Sequence, residues 1–174
     1  VGHRLRSCLP SRWVRCHSLP ASKRYPDDSE EKAEVLRRHQ LTMDDLREAS
    51  GRSDSGSMLW VAVGFWSEQP DDIRCPEYIA DLSPDWLHWH SKSPEEAEGE
   101  SWFNLWVTEV SADSPELVAI LTAVAGEQLG NLVLAPHSLD WLYHPYGGGA
   151  DVTCYTTLGR DALKVRRVNW LSVH

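Results

Sequence analysis

The run MLWVAVGFW, residues 58–66, narrows the possible folds more than any other stretch of this chain. It carries no charge, and its length, valines and aromatic rings fit a strand better than a helix. Apolar side chains fill both alternating positions. That pattern predicts a strand inside a sheet with both of its faces covered. WFNLWVTEV, residues 102–110, predicts a second strong strand. A sheet built on two such strands needs partners, and 174 residues supply them within one domain. At that size roughly 70% of the unfolded surface is buried on folding, so neither a metal nor a disulfide is needed.

The remaining elements follow from period and punctuation. RWVRCHS, residues 12–18, alternates, with Trp13, Arg15 and His17 on one side and Val14 and Cys16 on the other, which predicts a strand. A proline-bounded loop follows. Asp28 and Glu31 stand at capping-box spacing and open a helix with Ala33, Leu36, Met43 and Leu46 as its stripe. Ser114, Pro115 and Glu116 open a second helix that is expected to run to Gly130, and Thr157 a third that is expected to reach about Leu171. Strands are expected at residues 85–91, 131–135, 139–144 and 150–156. Residues 1–11 read as irregular, and 50–57 and 92–100 as flexible loops. Neighbouring strands outnumber strand–helix alternations. The fold class is therefore α+β: a largely antiparallel sheet of about five to seven strands, with about three helices packed on one face.

Charge limits the partners. Residues 1–26 hold Arg4, Arg6, Arg12, Arg15, Lys23 and Arg24 and no acid, leaving eleven basic against 26 acidic residues in the rest, a balance of −15. The whole chain stands at −9. Such a body repels a phosphate backbone, so no nucleic-acid role is expected. No apolar run is long enough for a membrane helix, and the start lacks the apolar segment of a secretory signal. The cysteines at 8, 16, 75 and 154 form no C-x-x-C pair, which fits reduced thiols and a cytoplasmic location. Nine tryptophans are unusual. They predict either an aromatic core or an adhesive face.

No motif identifies a reaction. Gly147, Gly148 and Gly149 lie between two aromatic runs, but a phosphate loop leads into a helix and carries Gly-Lys-Ser/Thr or G-x-G-x-x-G. Here the glycines lead into ADVTCYT, a period-2 stretch, so a hairpin turn is expected, with glycine supplying positive φ. His88 and His90, two apart on a strand, would point the same way and share a metal if a third ligand arrived, yet no H-E-x-x-H is present. The expectation is no metal and no cofactor. Adjacent residues on a strand face apart, so Cys16 and His17 do not make a nucleophile–base pair. Whether the chain is an enzyme stays open at this level. SKRYP, residues 22–26, places Lys23 and Arg24 beside Tyr25, a group able to meet an anion or simply to neutralise nearby acids.

RWVRCHSLPASKRYPDD, WLYHPYGGGADV and RDALKVRRVNWLS together resemble a family of small uncharacterised bacterial proteins, grouped as a domain of unknown function. The resemblance covers about residues 12–40 and 131–173. It implies a bacterial, cytosolic, single-domain protein and supplies no activity. It draws attention to His17, Ser18, Lys23, Arg24, Tyr25, His144, Pro145, Tyr146, Gly148, Gly149 and Asp151. In the family pattern an acidic residue stands where this chain has Gly147, and a phenylalanine-like residue where it has Cys16. Two functional expectations result. One is a non-enzymatic protein-binding domain, immunity-like or accessory, whose aromatic anchors and acidic surface suit a protein partner with a basic surface. The other is a small-ligand binder or enzyme with a pocket near the Gly147–Gly149 hairpin and the Lys23–Tyr25 loop, where His17, Lys23, Arg24, Tyr25, Tyr146 and Asp151 would bind the ligand.

Overall fold

A computed structural model describes residues 2–49, 57–68, 75–83, 85–97 and 99–171. Seven strands form one sheet: β1 (Trp13–His17), β2 (Met58–Ser67), β3 (Leu87–Lys92), β4 (Trp102–Ser111), β5 (Leu132–Pro136), β6 (Leu142–Tyr146) and β7 (Gly149–Thr153). Their order across the sheet is β1-β7-β6-β5-β2-β4-β3, and every neighbouring pair is antiparallel. The fold is therefore α+β. The longer helices are α2 (Ser29–Ala49), α5 (Pro115–Ala125) and α6 (Thr157–Arg166); α1 (Gly2–Cys8) is shorter, and α3 (Glu77–Ala80) and α4 (Pro94–Ala97) are single turns.

Register decides which side chains share a face. Leu59, Val61 and Val63 of β2, Leu132 and Leu134 of β5, Tyr143 of β6, Val152 and Ala150 of β7, and Val14 and Cys16 of β1 all point to one side. They meet Met43 and Leu46 of α2, Leu117, Ile120, Leu121 and Val124 of α5 and Leu163 of α6 in one buried cluster. Each such aliphatic side chain contributes about 1.5–3 kcal/mol by leaving water. Ion pairs hold the helices to one another. Asp45 of α2, buried, accepts two bonds from Arg167 at 2.6 and 2.9 Å and one from Arg166 at 2.9 Å. The guanidinium groups of Arg167 and Arg38 both lie over the ring of Trp170, 4.5 and 5.0 Å from its centroid.

The other face is covered differently. Arg6 of α1 lies 5.1 Å over the ring of Trp13, whose side chain points away from the core, so α1 packs across β1 and β7 on the side opposite the longer helices. The expected irregular start is thus partly helical. Farther along the sheet, Trp60 and Trp66 of β2 share that face with Phe103, Leu105 and Val107 of β4. Trp60 is 39% exposed and Trp66 54%. The run at residues 58–66 is interior to the sheet as expected, but its second face is covered only in part: Gly64 is buried beneath Phe103, Ala62 is half-buried, and Trp60 and Trp66 are exposed. The cause is layer count: α2, α5 and α6 all stack on one side.

Local signals set most boundaries, with shifts at the helix ends. The amide of Glu31 donates to Asp28 Oδ1 at 2.8 Å, and the Glu31 carboxylate accepts from the Asp27 amide at 2.7 Å, one residue before the position a capping box uses. Ser114 caps α5 through the Leu117 amide, yet α5 stops at Ala125 rather than at Gly130, because Gly126 ends it and Glu127 turns left-handed at φ 58°. Thr156, not Thr157, caps α6, and regular α-helix ends at Arg166, followed by a short 3-10 turn at Val168–Trp170. A one-turn helix, α4, interrupts the expected 92–100 loop, while most of the 50–57 loop lies outside the described residues.

His39 of α2 and Tyr143 of β6 form a buried polar contact inside this core, 2.7 Å from Nδ1 to the hydroxyl. Burial pushes the imidazole down to about 4, with the backbone of Tyr146 acting weakly the other way. The native imidazole is thus neutral where an unfolded one, near ~6.5, already takes a proton. Above that value His39 adds no pH dependence. Stability falls as pH drops from about 6.5 to about 4 and levels off below, a loss on the order of 3 kcal/mol. Urea unfolding across that range should show the slope, and His39→Leu should flatten it whatever its own baseline stability.

Candidate functional site

The glycine stretch is a reversal between strands. Tyr146 and Gly149 are register partners, so Gly147 and Gly148 form a two-residue turn between β6 and β7. The reason for glycine differs from the expected one. None of the three has φ in the left-handed range; each is instead approached closely by a neighbour. A side chain at Gly148 would stand 2.9 Å from the carbonyl oxygen of Arg24, and one at Gly149 would collide with the carbonyl of Cys16. At Gly147 it would meet only the end of the Glu127 side chain, at 3.0 Å. The hairpin, the end of β1 and the Lys23–Tyr25 loop therefore pack together, and the Ser18 amide donates to the Gly148 carbonyl at 3.3 Å.

The loop itself is anchored at both ends. Leu19 is buried against Val35 and Ala125, while Ala21 and Ser22 hold left-handed backbone at φ 54° and 58°. Such torsions are uncommon outside glycine. Lys23 Nζ donates to Asp27 at 2.7 Å and to both oxygens of Glu31, so its charge is directed to the start of α2. Tyr25 and Arg24 are exposed. His17 stands opposite Gly149, and its carbonyl accepts from Arg38 at 3.0 Å.

Asp151 sits at the centre of β7, 2% exposed, and Arg15 of β1 grips it with two bonds, Nε to Oδ1 at 2.8 Å and Nη2 to Oδ2 at 3.0 Å. The Arg15 guanidinium also lies 5.5 Å from the ring of Trp13 and 5.9 Å from that of Tyr146. Burial, followed by the charge of Asp151, pushes the Tyr146 hydroxyl up to about 12, which makes it a hydrogen-bond donor and not a base near neutrality. Arg15 is the member of this group that sequence reasoning missed. Its alternation with Trp13 and His17 placed it on a strand face, but only the β1–β7 register reveals its partner.

Among the six residues singled out, His17, Tyr146 and Asp151 share one face of the sheet at the hairpin end. Arg24 joins them through its backbone, whereas Lys23 turns to α2 and Tyr25 to solvent. A groove of about 480 Å³ lies at the opposite end of β6 and β7, lined by Asp45, Glu48, Trp141, Cys154, Tyr155 and Arg166 among others, and none of the six borders it. Burial pushes the Cys16 thiol up to about 12 and the Cys154 thiol to about 11, so neither is a thiolate near neutral pH.

A bulge separates the two histidines expected to act together. His88 pairs with Trp106 and His90 with Leu105, adjacent residues of β4, so the imidazoles leave from opposite faces. His88 instead contacts Ser91 Oγ at 2.9 Å and lies edge-on to Trp106. No group of three or more His, Cys, Asp or Glu suited to a metal occurs among the described residues, and no described helix is long and apolar enough to cross a membrane.

The family model for a domain of unknown function, DUF3885, matches residues 1–174. The chain belongs to the DUF3885 family. No curated protein and no solved structure matches it. In this DUF3885 chain, then, residue chemistry is what bears on function. The geometry offers two features: a polar cluster at the hairpin end and a half-bare aromatic face over β2 and β4.

The packing yields a stability test of the hairpin. Gly149→Ala should cost about 1–3 kcal/mol in chemical denaturation, because the opposing Cys16 carbonyl belongs to the paired strand and cannot retreat. Gly147→Ala should change stability by under ~0.5 kcal/mol, since the Glu127 side chain can swing aside.

Proposed function

We propose that this DUF3885 chain is a non-enzymatic protein-binding domain of the bacterial cytoplasm, immunity-like or accessory, which docks a basic partner on its open sheet face. The observation that carries the reading is the exposure of Trp60 and Trp66 beside Leu105 and Val107, on the side of the sheet that α2, α5 and α6 leave bare. Large aromatic rings fixed on a rigid sheet lose little freedom on binding and serve well as anchors. Phe103 crosses above Gly64, where any side chain would strike its ring, and tilts against Trp66 at 4.9 Å between centroids. Trp60 stacks on His137, whose Nε2 stands 3.1 Å from Glu109. Glu68 and Glu100 are exposed just beyond the strand ends near Trp66. That composition favours lysine- and arginine-bearing surfaces, with steering by the net charge of −9.

The test compares the wild-type chain with Trp60→Ser/Trp66→Ser as bait in its native cell extract. A specific partner should be retained by the wild type, released by salt and absent from the variant. Calorimetry with the purified partner should then give a Kd raised about thirtyfold, equal to the ~2 kcal/mol of a hot-spot aromatic. Each ring is partly buried, against His137 or Phe103, so the variant should lose about 1–2 kcal/mol per ring yet stay folded, which urea unfolding checks. A partner bound equally by both proteins would refute this reading.

The meeting of the hairpin with the Lys23–Tyr25 loop favours a second reading, a small anionic ligand held near Arg24, Tyr146 and His17. Inorganic phosphate titrated into labelled protein should then shift the resonances of Gly148, Arg24 and His17. An unchanged spectrum at saturating phosphate dismisses it.

A further inference from the structure

We infer that the basic partner binds the outer edge of β3 as an added strand, through a segment alternating apolar and basic residues. This rests on the docking reading above and specifies how the partner sits. β3 closes the sheet on one side and, among the described residues, is paired only with β4, so its far edge carries a row of outward backbone N–H and C=O groups. Such a row is satisfied by water or by another strand. Leu87, His88, Trp89 and His90 are all exposed, Leu87 at 67% and Trp89 at 66%. The opposite edge, β1, alternates buried and half-buried residues instead. An added strand would also widen the open face, because Leu87 pairs with Val107 and points to the side of Trp60 and Trp66.

Charge selects the occupant. Asp85 stands before β3, and Glu95, Glu96 and Glu100 follow it, all exposed, with Lys92 as the one cation within the strand. An incoming strand that sets apolar residues beside Leu87 carries its alternate lysines or arginines on its other face, within the field of these flanking carboxylates. A second copy of this chain fits worse. It would bring the same carboxylates and another net charge of −9 to the edge.

The test uses a short acetylated and amidated peptide alternating valine and lysine, and the same peptide N-methylated at alternate residues so that one edge loses its donors. The first should protect the amides of Leu87–Lys92 from hydrogen exchange. It should also bind at least about tenfold tighter than the methylated form, with Trp89→Ser weakening it. Equal binding of the two peptides, both lost in Trp60→Ser/Trp66→Ser, would overturn strand addition while leaving the docking face intact. No binding of either peptide would also overturn it, and the docking reading would then be judged by partner capture alone. A dimer in sedimentation that Leu87→Lys dissolves would overturn it by making a second copy the occupant.

Discussion

Everything else in this molecule depends on how one sheet divides its two faces. A seven-stranded sheet has apolar side chains to hide on both sides of its central strands. The chain provides three longer helices, α2, α5 and α6, and the Asp45–Arg166–Arg167 cluster ties α2 to the segment leaving α6. Once these helices share a side, the reverse side has, among the described residues, α1 at the β1–β7 end and the segment around Gly99 beside Trp66. The core is consequently complete on one face, with Leu132, Leu134, Val61 and Tyr143 fully enclosed, while β2 keeps Trp60 and Trp66 exposed on the other. Exposed aromatic surface lowers solubility, so its presence on a rigid sheet calls for a reason beyond folding.

The basic start of the chain is part of the same division. Three of its cations are taken up close to home: Arg15 by Asp151, Lys23 by Asp27 and Glu31, and Arg12 by the carbonyl of Tyr155. A half-buried pair such as Arg15–Asp151 adds little net stability over an apolar pair of the same shape, because Asp151 loses its water and Arg15 part of its own. It does discriminate strongly against misalignment, since a one-residue slip of β1 against β7 would strand a carboxylate. The hairpin glycines work in the same direction. They let the Cys16 and Arg24 backbones close on the turn, so that β1 sits in one register only.

How much of this is legible in the sequence depends on the range of the interaction. Period-2 alternation at Trp13–His17 and the Ser114 cap are local, and both read directly onto the structure. The hairpin is also local, but the reason for its glycines is not. It lies in Cys16 and Arg24, more than a hundred residues away in the chain. Arg15 escapes notice for the same cause, as its partner is 136 residues distant. The bulge that sends His88 and His90 to opposite faces comes from pairing with β4, which no two-residue spacing can announce. The run at residues 58–66 misleads most usefully. Its composition says that apolar surface needs cover, and says nothing of whether this chain or another supplies it.

That last distinction bears on the acidic surplus. If the cations of the first 26 residues neutralised the whole body, a charged partner would find little field to follow. They do not reach that far, because β1 and β3 are the two ends of the sheet. The carboxylates flanking β3 are left with Lys92 inside the strand, and they surround the end where Leu87 and Trp89 stand in water. Apolar contact area and unbalanced negative charge therefore coincide at one edge, while the opposite edge has its ion pairs closed. Screening over ~8–10 Å at physiological salt keeps such a local imbalance from being averaged away by charges across the molecule. A surface of this kind attracts by charge at a distance and holds by aromatic contact on arrival. Neither property follows from the demands of the core, which is complete without the exposed rings.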